Sequence, residues 1–177
     1  VQDLLELAKL GSRRFSLELR ATDVAEVVGD TVDGFRPAAT AAGIDLKVDN
    51  MPQGLVATAD PDRLAQVVAN LVENALKYAG TAIVVGGQTN GSSIEFWVQD
   101  DGPGISSDDL ARVFEPFFTV TRPPSRDVGS GLGLAIVREL VGAMAGDVTA
   151  RAGHGGGTRM TVTLPPYPAA QGGRMIE

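Results

Sequence analysis

The stretch DPDRLAQVVANLVENALKYAG, residues 60–80, decides the fold class of this chain of 177 residues. Asp60 followed by Pro61 is a strong helix start, because the carboxylate caps free amides and proline suits the first helical position. The apolar residues after it recur at helical spacing as one broad stripe: Leu64, Val67, Val68, Leu71, Val72, Ala75 and Leu76. The spacing predicts an amphipathic helix that ends at residues 79–80.

Upstream of this helix, the pattern predicts one more helix and a short strand. Cap-type residues at 22–23 precede an apolar period that predicts a helix over residues 23–42, which Pro37 kinks or divides. Alternating apolar and charged residues predict a half-buried strand over residues 44–48. We expect residues 55–58 to pair with that strand.

Downstream, the sequence predicts hairpins rather than strict strand–helix repetition. Two strands are predicted over residues 81–85 and 94–99, joined by a turn at 89–91. Residues 101–129 show no regular pattern. A helix is then predicted over residues 132–145, followed by strands over 147–150 and 159–164. This order predicts an α/β (α+β) fold, a two-layer sandwich with a mixed, mostly antiparallel sheet and helices on one face.

Composition excludes several classes of function. The 22 acidic against 15 basic residues give a net charge of −7, which opposes binding to nucleic acid or to an anionic membrane. The chain has no cysteine and one histidine, which excludes disulfides, thiolate chemistry and multi-histidine metal sites. No signal peptide or long apolar run is present, so we expect the chain to be soluble and without direct membrane contact. The start at Val1 instead of Met predicts a fragment of a longer protein.

Two glycine-rich loops stand out. DDGPG (100–104) follows a predicted strand and, taken alone, is an ordinary turn. GSGLG (129–133) opens a predicted helix, so its amides and the helix dipole are suited to phosphate. Its glycine spacing and the missing strand before it exclude a dinucleotide fingerprint, and no Gly-Lys-Ser/Thr follows, which excludes a Walker site.

The helix at 60–80 carries a polar face as well as its apolar stripe. Asn70, Asn74 and Lys77 lie at i, i+4 and i+7, which places two amide groups and a cation on one side. A solvated face is the ordinary alternative. Asparagine is a mediocre helix former, however, so two in one helix interior indicate a function.

Taken in order, four segments resemble the N, G1, F and G2 boxes of sensor histidine kinases: NLVENALKY (70–78), DDGPG (100–104), VFEPFF (113–118) and GSGLGL (129–134). GGGT (155–158) resembles the small glycine motif near the end of their catalytic domain. The resemblance covers residues 22–165. It implies the Bergerat ATP-binding fold of the GHKL superfamily, with ATP and Mg²⁺ as ligands.

The resemblance implies roles for individual residues. Asp100 would accept a hydrogen bond from the adenine amino group, and Gly102 and Gly104 would let the loop pass the base. Asn74 would ligate Mg²⁺, and Lys77 would meet phosphate charge. The remaining expected nucleotide contacts are Asn70, Tyr78, Ile105, Phe114, Gly129, Ser130, Gly131, Leu132, Gly133, Leu134 and Thr158.

Residues 114–128 resemble the mobile lid of that family, with Phe117 and Phe118 as packing at its hinge. Arg122 and Arg126 are the candidates for contact with the γ-phosphate, and Arg122 joins Asn70, Asn74 and Lys77 in the predicted catalytic set. The gyrase, chaperone and mismatch-repair branches have a water-activating glutamate at the position of Asn70. An amide cannot take a proton, so we expect no efficient hydrolysis.

Two polar residues receive no catalytic role in this interpretation. Glu73 is predicted on a different face from the metal ligand. His154, the sole histidine, lies in a glycine-rich loop without an acidic neighbour, so it is not the expected phosphoacceptor.

The resemblance implies transfer of the γ-phosphoryl group to a histidine on a dimerisation hairpin, for relay to an aspartate of a response regulator. Residues 1–20 would be the end of that hairpin and a linker, 21–166 the catalytic domain, and 167–177 a flexible tail. The parent is expected to be a dimeric membrane protein of a bacterium with this domain in the cytoplasm. Two alternatives remain: a nucleotide-gated binding module without transfer, and a serine kinase of the anti-sigma type, which Asn70 and the F box disfavour.

Overall fold

The computed structural model of the chain describes residues 16–119 and 130–168. The elements in chain order are β1 Arg20–Asp23, α1 Val24–Ala42, β2 Asp45–Val48, β3 Val56–Ala59, α2 Pro61–Tyr78, β4 Ala82–Asn90, β5 Ser93–Asp100, α3 Ser107–Leu110, α4 Gly133–Ala143, β6 Asp147–Ala152 and β7 Thr158–Leu164. Across the described ranges, no helix combines the length and hydropathy needed to cross a membrane.

Five strands form the main sheet in the order β2-β4-β5-β7-β6. β2 runs parallel to β4, and every other neighbouring pair in this sheet is antiparallel. Alternate side chains of the central strands are buried in one core with residues of α1, α2 and α4. The predicted mixed, mostly antiparallel sheet and two-layer sandwich are therefore confirmed.

Helix α2 forms as its sequence predicts. Oδ1 of Asp60 accepts from the amides of Asp62 at 3.1 Å and Arg63 at 3.2 Å, and Pro61 occupies the first turn. Leu64, Val67, Val68, Leu71, Val72 and Ala75 of the predicted stripe are buried. Burial of each leucine or valine side chain stabilises the fold by roughly 1.5–3 kcal/mol relative to exposure.

A second, small sheet was not predicted. β1 pairs with β3 in antiparallel register, with Arg20 opposite Ala59. The expected pairing of residues 55–58 with residues 44–48 is wrong, because β2 pairs instead with β4. β1 is a four-residue strand without apolar alternation, so its sequence carries no strand signal.

The chain after β7 also joins the small sheet. The amide of Thr58 donates to the carbonyl of Pro165 at 2.9 Å, and the amide of Tyr167 donates to the carbonyl of Val56 at 2.9 Å. Backbone hydrogen bonds on both sides of β3 therefore hold the entry to the domain and its exit together.

Local boundaries differ from the prediction in three places. Pro37 lies inside α1, which continues to Ala42 and ends at Gly43, so the helix is not divided. The hairpin turn lies at residues 91–92, because β4 extends to Asn90. The short helix α3 interrupts the stretch predicted to be irregular, and Ser106 caps it.

Candidate functional site

Two adjoining cavities lie between α2, the loop that follows β5, and the start of α4. One is mainly apolar and the other mainly polar. They adjoin because the same six residues line both: Asn74, Tyr78, Val113, Phe118, Thr119 and Leu134. A single elongated ligand with an apolar end and a charged end would occupy both cavities.

The apolar cavity contains one ionisable carboxylate, Asp100, at the end of β5. Its residue surface is only 6% exposed. Oδ1 accepts from the amides of Gly102 at 2.9 Å and Thr158 at 3.3 Å. Within the described residues no group donates to Oδ2, so that oxygen is available to a ligand.

Burial raises the pKa of the Asp100 carboxyl above its usual range, and the amides of Gly102 and Thr158 oppose this rise. A carboxylate is costly to desolvate, so its placement in an apolar cavity needs a compensating partner. A ligand amino group that donates to Oδ2 would supply one.

Glycine is required on both sides of the loop that carries Asp100. A Cβ at Gly102 would collide with the carbonyl oxygen of Tyr78, at the end of α2. Gly157 has a φ of +72°, and a Cβ there would collide with the carbonyl oxygen of Asp100. The loop therefore lies in direct backbone contact with the end of α2 at Gly102 and with Gly157 at Asp100, which explains why both positions are glycine.

The polar cavity is formed by one face of α2 and the start of α4. Asn70, Asn74 and Lys77 line it together, which confirms that they share a face. Glu73 lines it too, so the expectation that Glu73 points elsewhere is wrong. Four residues of the G2 segment complete the lining: Ser130, Gly131, Gly133 and Leu134.

Helix α4 begins at this cavity without a capping side chain. Leu132 occupies the N-cap position and makes no side-chain hydrogen bond to the helix. The first amides of a helix have no partner within the helix, and the helix dipole adds partial positive charge there. The start of α4 is thus suited to an anion, as its sequence predicts.

The two asparagines of α2 differ in their contacts. Nδ2 of Asn70 donates to the carbonyl of Gly133 at 3.4 Å, which links α2 to the start of α4. The Asn74 side chain makes no hydrogen bond within residues 16–119 and 130–168, and it lines both cavities. Its amide oxygen is therefore available as a ligand.

The F box joins the start of α4 through its backbone. The amide of Phe117 donates to the carbonyl of Gly131 at 2.9 Å. Phe117 has a φ of +64° and is 63% exposed, so the expectation that it packs at a hinge is wrong. Phe118 does pack: it lines both cavities, and the Arg112 guanidinium lies 4.6 Å from its ring centroid.

The remaining predicted site residues fall into three groups. Tyr78, Gly104, Ile105 and Thr158 line the apolar cavity, whereas Phe114 and Leu132 are buried in the core and line neither cavity. Arg122, Arg126 and Gly129 lie outside the described residues, as does most of the predicted lid. Three residues of the apolar cavity were not predicted as site residues: Pro103, Val113 and Thr119. Each lies in a segment that the sequence did single out, namely the G1 segment, the F box and the predicted lid.

A divalent cation fits this donor set in one way. No cluster of three or more His, Cys, Asp or Glu side chains exists among the described residues. Mg²⁺ commonly takes one or two protein oxygens and completes its octahedron with phosphates and water. The available oxygen of Asn74, beside a helix start suited to an anion, meets that requirement.

Comparison with known proteins decides the family. Residues 59–168 match the family described as "Histidine kinase-, DNA gyrase B-, and HSP90-like ATPase", which is more than half of the chain. The chain belongs to this family. It is 36% identical over 171 residues to the sensor-like histidine kinase SenX3 of Mycolicibacterium smegmatis, covering 95% of this chain and 44% of that protein.

Other relatives agree. The sensor histidine kinase AtsR of Burkholderia thailandensis is 34% identical over 171 residues, covering 93% of this chain and 28% of that protein. The full-length ShkA structure in complex with AMPPNP matches with a TM-score of 0.80 at 30% identity, covering 96% of this chain and 35% of that one. The ThkA catalytic domain, at 24% identity, shares the fold with a TM-score of 0.75 over 86% of this chain and 100% of that one.

These findings identify an ATP-binding catalytic domain of the sensor histidine kinase type. The chain spans less than half the length of these two curated relatives.

Proposed function

We propose that this domain binds Mg²⁺-ATP across the two cavities and transfers the γ-phosphoryl group to a histidine on a dimerisation domain, for relay to a response regulator aspartate. One observation carries the proposal. An apolar cavity with a single buried carboxylate continues directly into a polar cavity that holds Asn74, Lys77 and an uncapped helix start.

The base would lie in the apolar cavity. Adenine presents an amino donor at its sixth position, where guanine presents a carbonyl acceptor. Oδ2 of Asp100 accepts from the first and repels the second. Tyr78, Ile105 and Leu134 would provide the apolar walls against the ring faces.

The phosphates would lie in the polar cavity. The first amides of α4 and the ammonium group of Lys77 supply positive charge there. Asn74 would hold Mg²⁺ through its amide oxygen. When bound, the cation neutralises phosphate charge and orients the γ-phosphoryl group for in-line transfer.

We further propose that water is not activated efficiently at this site. Asn70 occupies the position of the superfamily's general base, and its amide nitrogen is engaged by the Gly133 carbonyl. An amide has no basic lone pair with which to accept a proton from water. Glu73 lines the same cavity and is a carboxylate, so a Glu73→Gln variant belongs in any hydrolysis assay.

We extend the proposal to a longer parent protein. We propose that residues 21–166 are the catalytic domain and that residues 1–20 lead in from a dimerisation hairpin. The tail predicted for residues 167–177 begins at Tyr167, whose amide donates to the carbonyl of Val56, and residues 1–15 and 169–177 lie outside the described ranges. The partners would be that hairpin and a response regulator. The relatives are sensor kinases, which supports a parent that is a bacterial membrane sensor with this domain on the cytoplasmic side.

Radiolabelled ATP tests the transfer. The chain, the parent's separately expressed hairpin and the mixture are incubated with Mg²⁺-ATP, and each product is treated with acid. We expect acid-labile label on the hairpin only in the mixture, since phosphohistidine is acid-labile. Asn74→Ala should abolish it, whereas His154→Ala, which changes a loop histidine that lines neither cavity, should not affect it.

Three results would contradict the proposal. Acid-stable label on the chain itself would indicate a serine kinase. Rapid phosphate release without label, lost in Glu73→Gln, would indicate an ATPase with Glu73 as base. ATP binding by the wild type without transfer to the hairpin would support the binding-module alternative instead.

A further inference from the structure

Asp101, the residue after the proposed base-binding Asp100, makes the densest set of side-chain hydrogen bonds near the site. Its Oδ1 accepts from three consecutive amides, those of Gly80 at 2.9 Å, Thr81 at 2.9 Å and Ala82 at 3.0 Å. Its Oδ2 accepts from the Thr81 hydroxyl at 2.6 Å and from the Thr81 amide at 3.1 Å. One carboxylate therefore binds three consecutive residues where the chain passes from α2 into β4.

These contacts are charge-assisted. The Thr81 hydroxyl and the amides of Ala82, Thr81 and Gly80 hold the pKa of the Asp101 carboxyl far below its usual range. The side chain is an anion in the folded protein at any ordinary pH. Hydrogen bonds to a charged acceptor are shorter and stronger than those between neutral groups.

The connection between α2 and β4 matters for the site because it directly follows the residues of α2 that line the cavities. Asn74, Lys77 and Tyr78 lie in the last turns of α2, immediately before residues 80–82. Asp101 itself follows Asp100 in the chain. The Asp101 carboxylate thus ties the end of β5, on one side of the apolar cavity, to the end of α2 on the other.

The contact between Gly102 and the end of α2, next to Asp101, leaves the loop little freedom to move. Gly102 approaches the Tyr78 carbonyl so closely that a Cβ has no room. The amide of Gly102 in turn donates to Oδ1 of Asp100 at 2.9 Å. A small displacement of the α2 end from the loop would therefore move Asp100 relative to Tyr78 and Asn74.

We propose that Asp101 is a positioning residue that sets the distance between Asp100 and the end of α2, and thereby the selectivity of the site for adenine over guanine. This inference rests on the proposed function. It assigns to Asp101 no contact with the nucleotide. The base selectivity arises from Oδ2 of Asp100, which discriminates an amino donor from a carbonyl only when it is correctly placed.

The experiment compares Asp101→Ala with Asp101→Asn, and both with Asp33→Ala. Asn retains an oxygen that accepts the three amide hydrogen bonds, and its amide nitrogen can donate to the Thr81 hydroxyl. Asp33 is an exposed carboxylate on α1 that pairs with Arg36, so its removal is a matched loss of one charge away from the site. Affinities for Mg²⁺-ATP and Mg²⁺-GTP are measured by calorimetry, and the melting temperature is recorded for each variant.

We expect Asp101→Ala to weaken ATP binding about tenfold and to leave GTP binding within about twofold, so that the ATP:GTP ratio falls about tenfold. Asp101→Asn should restore that ratio to within about threefold of the wild type. Asp33→Ala should not change it. Should Asp101→Ala not fold, Thr81→Val decides, because it removes only the hydroxyl contact to Oδ2 and should lower the ratio part of the way.

Outcomes separate this inference from the proposed function. A wild type that binds no Mg²⁺-ATP overturns both. A wild type that binds ATP selectively, with an unchanged ATP:GTP ratio in Asp101→Ala or Thr81→Val despite a lower melting temperature, makes Asp101 merely structural and overturns this inference alone. An ATP:GTP ratio that falls as far in Asp101→Asn as in Asp101→Ala would also contradict it. Asn keeps the acceptor oxygen in place, so the position of that acceptor would then not set the selectivity.

Discussion

The side-chain amide of Asn70 donates to the backbone carbonyl of Gly133, 63 residues later, at a distance of 3.4 Å. The bond joins the middle of α2 to the first residue of α4 at the floor of the polar cavity. An asparagine in a helix interior here links the two elements that we propose to supply phosphate contacts. Because of this bond, the side-chain amide of Asn70 already has a hydrogen-bond partner within the protein.

We predict that Asn70→Ala destabilises the domain modestly and weakens Mg²⁺-ATP binding more clearly. A neutral hydrogen bond of this length contributes about 0.5–1 kcal/mol to the free energy of unfolding, which urea denaturation measures. The loss of affinity follows because the start of α4 is no longer fixed against α2. Glu139→Ala, on the exposed side of α4, is the control and should change neither quantity.

For Asp100→Asn we predict loss of adenine binding without loss of stability at pH 7. Asn can still accept the amides of Gly102 and Thr158, and it carries no charge that burial would penalise. Its amide nitrogen replaces the free acceptor, so a donor meets the adenine amino group, at a cost of about 1–3 kcal/mol in binding. Titration with a fluorescent adenine nucleotide, beside urea denaturation, checks both parts. Equal affinities in variant and wild type would remove Asp100 from the base site.

The main sheet and its helices could be predicted because their residues follow strong periods. The stripe of α2 and the alternation of Ile94, Phe96 and Val98 in β5 each report one buried face. β1 and its pairing with β3 could not be predicted. Both are four-residue strands held by long-range backbone pairing, and no local pattern encodes which strand lies beside which.

The site residues could be predicted where short sequence spacing alone brings them together. Asn70, Asn74 and Lys77 share a face through helical spacing alone, and that face does line a cavity. The role of Asp101 depends on amides some 20 residues away in sequence, brought close by the return of β5 along β4. Phe117 was misjudged because an exposed phenylalanine with positive φ contradicts the usual preference of aromatic residues for burial.

A different prediction concerns Asp60, at the other end of α2 from the cavities. Its Oδ1 caps α2, and its Oδ2 accepts from the amide of Glu18 at 2.9 Å, in the segment that enters the domain. Asp60→Ala loses both and should lower the free energy of unfolding by about 2 kcal/mol. Asp60→Asn keeps a capping oxygen but not the Glu18 acceptor, so we expect about half that loss.

Nucleotide affinity should be within about twofold of the wild type in both Asp60 variants, because Asp60 and Asn74 lie about 20 Å apart along the helix. Urea denaturation and calorimetry measure the two quantities. An Asp60→Asn variant as unstable as Asp60→Ala would assign the whole effect to the bond with Glu18. A large loss of affinity would mean that the entering segment is coupled to the cavities.

The last prediction uses the opposite pKa shifts of two adjacent carboxyls. The pKa of Asp101 is lowered, so its contribution to stability is complete above its unfolded pKa of about 3.9 and is lost as the pH falls toward the folded value. The pKa of Asp100 is raised, so its ionisation destabilises the fold at neutral pH, and that penalty disappears as the pH falls through the folded value toward 3.9.

We therefore expect the stability of the wild type to fall relative to Asp101→Asn and to rise relative to Asp100→Asn on acidification. The difference in free energy of unfolding between the wild type and Asp101→Asn should be constant from about pH 7 to 5 and should shrink below about pH 4. Relative to Asp100→Asn, the wild type should gain stability on acidification, and this change should begin at a higher pH. Urea denaturation at intervals between pH 7 and the acid limit of folding measures both. Parallel curves for the two variants would show that the contrast between the buried carboxylate and the amide-bound one is not present in solution.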